Sequence, residues 1–104
     1  MTSPKTKGIR FERYVKKKLE KLGAYVIRSS ASSGVFDLIA IFKHTRPIGI
    51  QCKYNGILSA HEKSKIMRAV EKYDIIPAIA YKEGSKVVVR IMLNGELIED
   101  YIKD

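Results

Sequence analysis

One stretch of this sequence decides the fold, and from residue 29 to residue 54 it reads SSASSGVFDLIAIFKHTRPIGIQCKY. Two short apolar runs are separated by the polar residues 43–47, which is the pattern of two paired β-strands. Serines and a glycine precede the first strand and form a loop. The stretch therefore predicts a β-hairpin, and the few polar residues inside its apolar runs need a physical explanation.

The predicted hairpin brings three polar side chains together. A three-residue loop sets Phe42 opposite Arg46, and the same register sets Asp37 opposite Gln51. Opposed residues have Cβ atoms about 4.5–5.5 Å apart, and Lys53 follows Gln51 on the same face. Oxygen ligands beside an ammonium suit Mg²⁺ and phosphodiester hydrolysis. The alternative is a structural salt bridge between Asp37 and Lys53.

Composition and charge limit the class of protein. The chain has 104 residues, which fits a single domain over residues 1–104. Twenty Lys and Arg against eleven Asp and Glu give a net charge of +9, which favours nucleic acid as the partner over a basic surface without specific use. No membrane span or signal peptide is present in the sequence. We therefore expect a cytoplasmic, DNA-associated protein without a membrane or small-molecule partner.

The single cysteine, Cys52, lies inside the second predicted strand. We interpret it as a small buried residue in a reducing compartment, because no base is predicted beside it. With His44 and His61 it also lacks the spacing of a zinc site. The sequence therefore gives no support to cysteine or zinc chemistry.

The remaining elements follow from hydrophobic periodicity and turn signals. In order, they are a flexible basic arm at residues 1–7, a helix at 8–22, a strand at 24–29, the hairpin, a helix opened by a Ser59–Glu62 capping box and ending near residue 73, strands at 77–81 and 86–93, and a short terminal helix. A further strand after residues 94–95 is the alternative to that last helix. The order α-β-β-β-α-β-β predicts an α/β domain with a mixed five-stranded sheet flanked by helices.

Two features outside the hairpin could add to its polar cluster. Glu12 falls at the edge of the apolar stripe of the first helix, where a carboxylate can reach the sheet. The simpler interpretation is a surface pair with Lys16. The serine-rich loop can approach phosphates closely, and Arg28 at its base could bind one or remain a surface charge.

Several motifs occur in an order that is quite specific as a set. They are Lys7-Gly8 and Glu12-Arg13, Arg28 with Ser32, Asp37, Gln51-Cys52-Lys53, residues 58–62 and the strand at 77–81. This set resembles the archaeal Holliday junction resolvases, which belong to the PD-(D/E)XK nuclease superfamily. The resemblance covers roughly residues 7–82 and implies a restriction-endonuclease-like fold.

The resemblance also implies an activity. It is that of a dimeric, Mg²⁺-dependent endonuclease, with Mn²⁺ as a possible substitute, which resolves four-way DNA junctions by paired nicks. Such an enzyme serves DNA recombination and repair in an archaeon or an archaeal virus. The alternatives are a non-catalytic junction-binding module and a restriction- or repair-type nuclease.

Residue roles follow from the same resemblance. Asp37 would be the principal metal ligand and Gln51 the second, with the Cys52 backbone carbonyl and Glu12 completing the set. Lys53 would serve the attacking water or the transition state. The implied catalytic residues are Glu12, Asp37, Gln51, Lys53 and Ser32, and the implied DNA-binding residues are Lys5, Lys7, Arg10, Arg28, Ser30, Ser32 and Lys65.

One of these positions departs from the family pattern. The family normally has Glu where this chain has Gln51. An amide oxygen can coordinate a hard cation but adds no negative charge, so we expect weaker metal binding or a different metal balance. Some other nucleases of the superfamily, including Mrr-like restriction enzymes, carry Gln-x-Lys, so the substitution is compatible with activity.

Overall fold

The computed structural model describes residues 4–29, 35–93 and 96–103, with side chains described for residues 8–29 and 35–92. The elements are α1 (Pro4–Lys21), β1 (Tyr25–Arg28), β2 (Leu38–Ile41), β3 (Ile48–Cys52), α2 (Ala60–Lys72), β4 (Ile76–Glu83), β5 (Lys86–Leu93) and β6 (Glu96–Lys103). Neither of these helices is apolar over enough of its length to cross a membrane.

The strands form one mixed sheet, whose order in space is the order in sequence, β1 to β6. Only β3 and β4 run parallel among the described strands, and α2 provides the crossover between them. The other neighbouring strands pair antiparallel. The predicted mixed α/β architecture and the order α-β-β-β-α-β-β are confirmed, with a sixth strand added.

The paired strands of the central hairpin have the predicted register. Leu38 pairs with Ile50 and Ala40 pairs with Ile48. The register does not continue to the predicted pairing of Asp37 with Gln51, because the Asp37 N–H donates to the Ile50 carbonyl at 2.9 Å. A one-residue slip would have exchanged the two faces of each strand. The turn chemistry and apolar pattern were therefore sufficient to align the two strands.

Each helix covers one face of the sheet, so the core has two parts. On one face, Phe11, Val15 and Leu19 of α1 pack on sheet side chains that include Leu38 and Ile50. On the other face, Ile66 and Ala69 of α2 pack with Phe36, Ile79 and Met92. This division follows from the strand period of two, which sends alternate residues to opposite faces.

Gly49 in β3 is required by the close approach of Phe36. A Cβ atom at position 49 would lie 2.6 Å from a Phe36 ring carbon. Phe36 is buried and directly precedes Asp37. The ring that stacks on Gly49 therefore fixes the chain at the point where it enters the polar cluster.

The predicted C-terminal helix is wrong, and a strand is found in its place. Residues Glu96–Lys103 form β6, which pairs antiparallel with β5 and shifts register twice along it. The spacing of the apolar residues fits either structure over so short a segment. Pairing with the unsatisfied edge of β5 decides between the two, because it satisfies backbone groups that would otherwise remain open.

The first helix begins earlier than predicted. It starts at Pro4 rather than at residue 8, so residues 4–7 of the predicted flexible arm are helical. Proline is favoured at the first position of a helix, where its missing N–H leaves no bond unmade. Lys5 and Lys7 consequently belong to the first turns of α1.

Candidate active site

The Asp37 carboxylate lies where the chain bends into β2. Its Oδ2 accepts a hydrogen bond of 2.8 Å from the backbone N–H of Cys52, and its own N–H donates to the Ile50 carbonyl at 2.9 Å. In the described part of the chain, the other carboxylate oxygen accepts no hydrogen bond. One oxygen is thus fixed against β3, and the second is available to a ligand.

Helix α1 brings Glu12 to the same end of the sheet. Arg28 at the end of β1 donates from Nε to Glu12 Oε1 at 3.1 Å, and the Glu12 side chain is only 19% exposed. The alternative pairing of Glu12 with Lys16 is wrong, because Lys16 pairs with Glu20 at 3.1 Å. The predicted inward direction of Glu12 is therefore what the structure has.

The two acidic side chains are close enough to affect each other. Burial raises the pKa of Glu12, and the charge of Asp37 raises it further against the opposing effect of Arg28. Burial also raises the pKa of Asp37, and this outweighs the Cys52 N–H, Lys53 and Arg28, which lower it. The pKa of each of these partly buried carboxyl groups is raised, so a cation bound beside them would stabilise their ionised forms.

Lys53 lies beside Asp37 and forms an ion pair with Glu62. Its Nζ is 2.6 Å from Glu62 Oε2. Glu62 is the third residue of α2, and its Oε1 accepts from the Ser59 N–H in the predicted capping box. Burial alone would raise the pKa of Glu62, but the hydrogen bonds from Lys53 and Ser59 prevail and lower it.

Glu62 is the site residue that sequence reasoning missed. The Ser59–Glu62 capping box by itself explains a glutamate at this position. A signal was present, since the turn after Lys53 leads directly to the start of α2. The N-terminus of a helix that follows a strand so closely can return a side chain to the end of that strand.

Gln51 and Cys52 supply further oxygen atoms. Gln51 pairs in register with Ile79, whose side chain is buried beneath α2, so Gln51 lies on the α2 face. The Cys52 N–H points to Asp37. Its carbonyl points to the same side, because both backbone groups of a strand residue face one neighbour.

The Cys52 thiol takes no part in this arrangement. Its residue is partly buried and packs against the α1 side of the core. Burial, and then the charges of Asp37 and Glu12, raise the pKa of the thiol far above its usual value. A thiol in that state is protonated at neutral pH and is a poor nucleophile.

The predicted DNA-binding residues are only partly brought to the site. Arg28 is present through its bond to Glu12. Arg10 is exposed and borders a shallow groove together with Phe11, Tyr14, Tyr54 and Lys82. Lys65 is exposed on α2 and borders a separate depression beside Val35. Ser30 and Ser32 lie outside the described residues, and Lys5 and Lys7 are described only as backbone of α1.

The donor set at this end of the sheet consists of hard oxygen atoms. Among the described residues there is no group of three or more His, Cys, Asp or Glu that could hold a metal. The ligands on offer are the Asp37 and Glu12 carboxylates, the Gln51 amide and the Cys52 carbonyl. Such a set fits Mg²⁺, which keeps several waters and needs few carboxylates, and it disfavours soft metals.

Comparison with known proteins identifies the family. Residues 3–95 match the family model described as archaeal Holliday junction resolvase, Hjc. The chain belongs to this family. Its membership confirms the resemblance that the ordered motifs indicated.

Two relatives of this resolvase-family chain are informative. It is 40% identical over 94 residues to the crossover junction endodeoxyribonuclease Hjc of Methanocaldococcus jannaschii, a match that covers 88% of this chain and 63% of that protein. The chain therefore spans less than two thirds of that relative. The structure of the Holliday junction resolvase Hjc from Archaeoglobus fulgidus is similar with a TM-score of 0.69 at 24% identity, over 94% of this chain and 83% of that one. This second likeness confirms the fold.

Proposed function

We propose that this protein is a metal-dependent endonuclease that cuts four-way DNA junctions. The observation that carries the proposal is the convergence of Glu12 in α1, Asp37 just before β2 and Lys53 just after β3. Two acidic groups and one ammonium are what hydrolysis of a phosphodiester by a bound divalent cation requires. The net charge of +9 and the membership of the resolvase family support DNA as the substrate.

The residues present fit one hard divalent cation. Asp37 would bind it through the carboxylate oxygen that accepts no hydrogen bond in the described structure, with the Gln51 amide, the Cys52 carbonyl and Glu12 completing the protein ligands. Mg²⁺, or Mn²⁺ in its place, would polarise the scissile phosphate and lower the pKa of an attacking water. Stabilisation of the developing charge and binding of the phosphate would fall to protein side chains.

Lys53 and Arg28 provide the positive charge that the reaction needs. The Lys53 ammonium can donate to the attacking water or to a phosphate oxygen, and it stabilises the negative charge that develops there. Arg28 is held by Glu12 through one nitrogen, so its other N–H groups can bind a phosphate. Ser30 and Ser32 of the serine-rich loop are proposed to engage the same backbone.

A symmetric junction requires two active sites. Each chain carries one site, so paired nicks across a four-way junction call for a homodimer with two-fold symmetry. The basic residues Lys5, Lys7, Arg10 and Lys65 are proposed to hold the DNA arms, which would make binding strongly dependent on salt. A DNA substrate also places the protein inside the cell.

The test of this function is cleavage of a synthetic four-way junction with labels on opposing strands. We expect paired nicks in Mg²⁺ or Mn²⁺ and none in EDTA. Linear duplex of the same sequence serves as the control and should be largely spared. Equal cutting of both substrates would instead indicate a restriction- or repair-type nuclease.

Gln51 favours one second candidate, a junction-binding protein without catalysis. Its amide contributes no charge to the cation, so the site holds one carboxylate fewer than the family pattern. This candidate predicts salt-sensitive junction binding without cleavage in either metal. The retention of both Asp37 and Lys53 counts against it.

A further inference from the structure

The Glu62 side chain makes two contacts at once. Its Oε1 accepts from the Ser59 backbone N–H at 3.0 Å, and its Oε2 lies 2.6 Å from Lys53 Nζ. In return, the Ser59 hydroxyl accepts from the Glu62 N–H at 3.1 Å. The carboxylate is therefore fixed to the helix cap on one side while it holds the Lys53 ammonium on the other.

Capping alone does not account for this arrangement. A capping box uses one side-chain oxygen at the third position of the helix, and Gln serves there as well as Glu. Capping requires neither the second oxygen nor the negative charge of Glu62, and both of these interact with Lys53. The helix N-terminus stabilises a negative charge at this position, which keeps Glu62 ionised.

The ion pair is also better shielded than an ordinary surface pair. The side chains of Lys53 and Glu62 are 31% and 27% exposed. Those of Arg46 and Asp74, which form a pair on the surface, are 57% and 79% exposed. Screening by water and salt is weaker in the first case, so the pair restrains the lysine more effectively.

Lys53 interacts with two acidic groups. It forms an ion pair with Glu62, and its positive charge lowers the pKa of Asp37, on which the charge of Glu62 also acts in the opposite sense. A lysine side chain is flexible, and without Glu62 its ammonium could turn to the metal-binding carboxylates or to solvent. Glu62 prevents both and leaves the remaining N–H groups of Lys53 free to act on the substrate.

We propose that Glu62 is a positioning residue, which uses the cap of α2 to hold the Lys53 ammonium at the scissile phosphate. The inference rests on the proposed nuclease function and assigns Glu62 no contact with the substrate.

The deciding variant is Glu62→Gln, because glutamine preserves the capping box and removes the charge. We expect single-turnover cleavage of a four-way junction to slow by about 10- to 100-fold, the effect of a misplaced catalytic group. Junction affinity should remain close to wild type, and the thermal midpoint should fall only slightly through loss of the ion pair, because the capping box is kept. The control is Ser59→Ala, which removes the hydroxyl half of the box but keeps the backbone N–H that binds Glu62. It should lower the thermal midpoint and leave the cleavage rate nearly unchanged.

A second measurement does not depend on cleavage. In nuclear magnetic resonance spectra of the lysine ammonium groups, the Lys53 signal should exchange slowly in wild type and in Ser59→Ala, and it should be lost in Glu62→Gln. Wild-type cleavage by Glu62→Gln, or an equally sharp Lys53 signal in that variant, would overturn the inference. If wild type itself binds junctions without cutting them, the proposed function fails, and the ammonium signal still decides whether Glu62 holds Lys53.

Discussion

The Asp37 carboxylate and the Cys52 backbone N–H are joined by a hydrogen bond of 2.8 Å. The contact ties the start of β2 to the end of β3 and so couples the hairpin register to the geometry of the site. It also divides the carboxylate into one oxygen that is fixed and one that is available. The candidate metal ligand is therefore positioned by the sheet backbone.

Asp37→Asn should stabilise the protein in EDTA at neutral pH. The asparagine oxygen can still accept from Cys52, and the variant lacks the partly buried charge of Asp37. Because the pKa of Asp37 is raised in the folded state, its protonated form contributes stability at low pH, and that stability is lost as pH rises through the folded-state pKa. The gain in thermal midpoint should thus be present at pH 7 and shrink below about pH 4, the range of an unfolded Asp. A variant that is less stable than wild type at pH 7 would contradict the raised pKa.

Gln51→Glu should tighten Mg²⁺ binding by at least about tenfold, or about 1.4 kcal/mol, because it adds a carboxylate to the ligand set. The same substitution places a third negative charge near Asp37 and Glu12, so it should lower the thermal midpoint in EDTA. Calorimetric titration and thermal melts test the two effects together. Unchanged metal affinity would remove Gln51 from the metal shell.

Gly49→Ala should destabilise the fold by about 1–3 kcal/mol, the usual effect of overpacking. The added methyl group would lie 2.6–2.7 Å from three carbons of the Phe36 ring and must displace it. Since Phe36 adjoins Asp37, cleavage should also slow. The matched control is Gly8→Ala in α1, where a Cβ meets nothing within 4 Å. That change should stabilise the helix by about 0.5–1 kcal/mol, and a Gly49→Ala variant of wild-type stability would be inconsistent with the Phe36 contact.

Much of this site could be predicted from the sequence, because its central part is local. Asp37 and Gln51 belong to one hairpin, and a short polar turn between apolar runs was enough to align its two strands. The capping box at Ser59 and Glu62 could also be predicted, since it spans only four residues. In each of these cases the decisive interactions connect neighbouring parts of the chain.

The features that could not be predicted depend on packing between distant segments. The bond between Glu12 and Arg28 requires α1 to lie across the end of β1, and the pair of Lys53 with Glu62 requires α2 to return to the end of β3. The terminal segment shows the same limitation, because the edge of β5 and not the local pattern makes Glu96–Lys103 a strand. Local pattern decides an element only where no long-range partner competes for it.

The most direct test of the central claim is single-turnover cleavage of a pre-bound four-way junction by Asp37→Asn and Lys53→Met, with the junction dissociation constant measured for each. Both substitutions leave the core intact and remove one charge from the site. We predict that cleavage in Mg²⁺ falls by at least about 1,000-fold, while junction affinity stays within about tenfold of wild type. Cleavage by either variant at the wild-type rate would show that the chemistry takes place elsewhere.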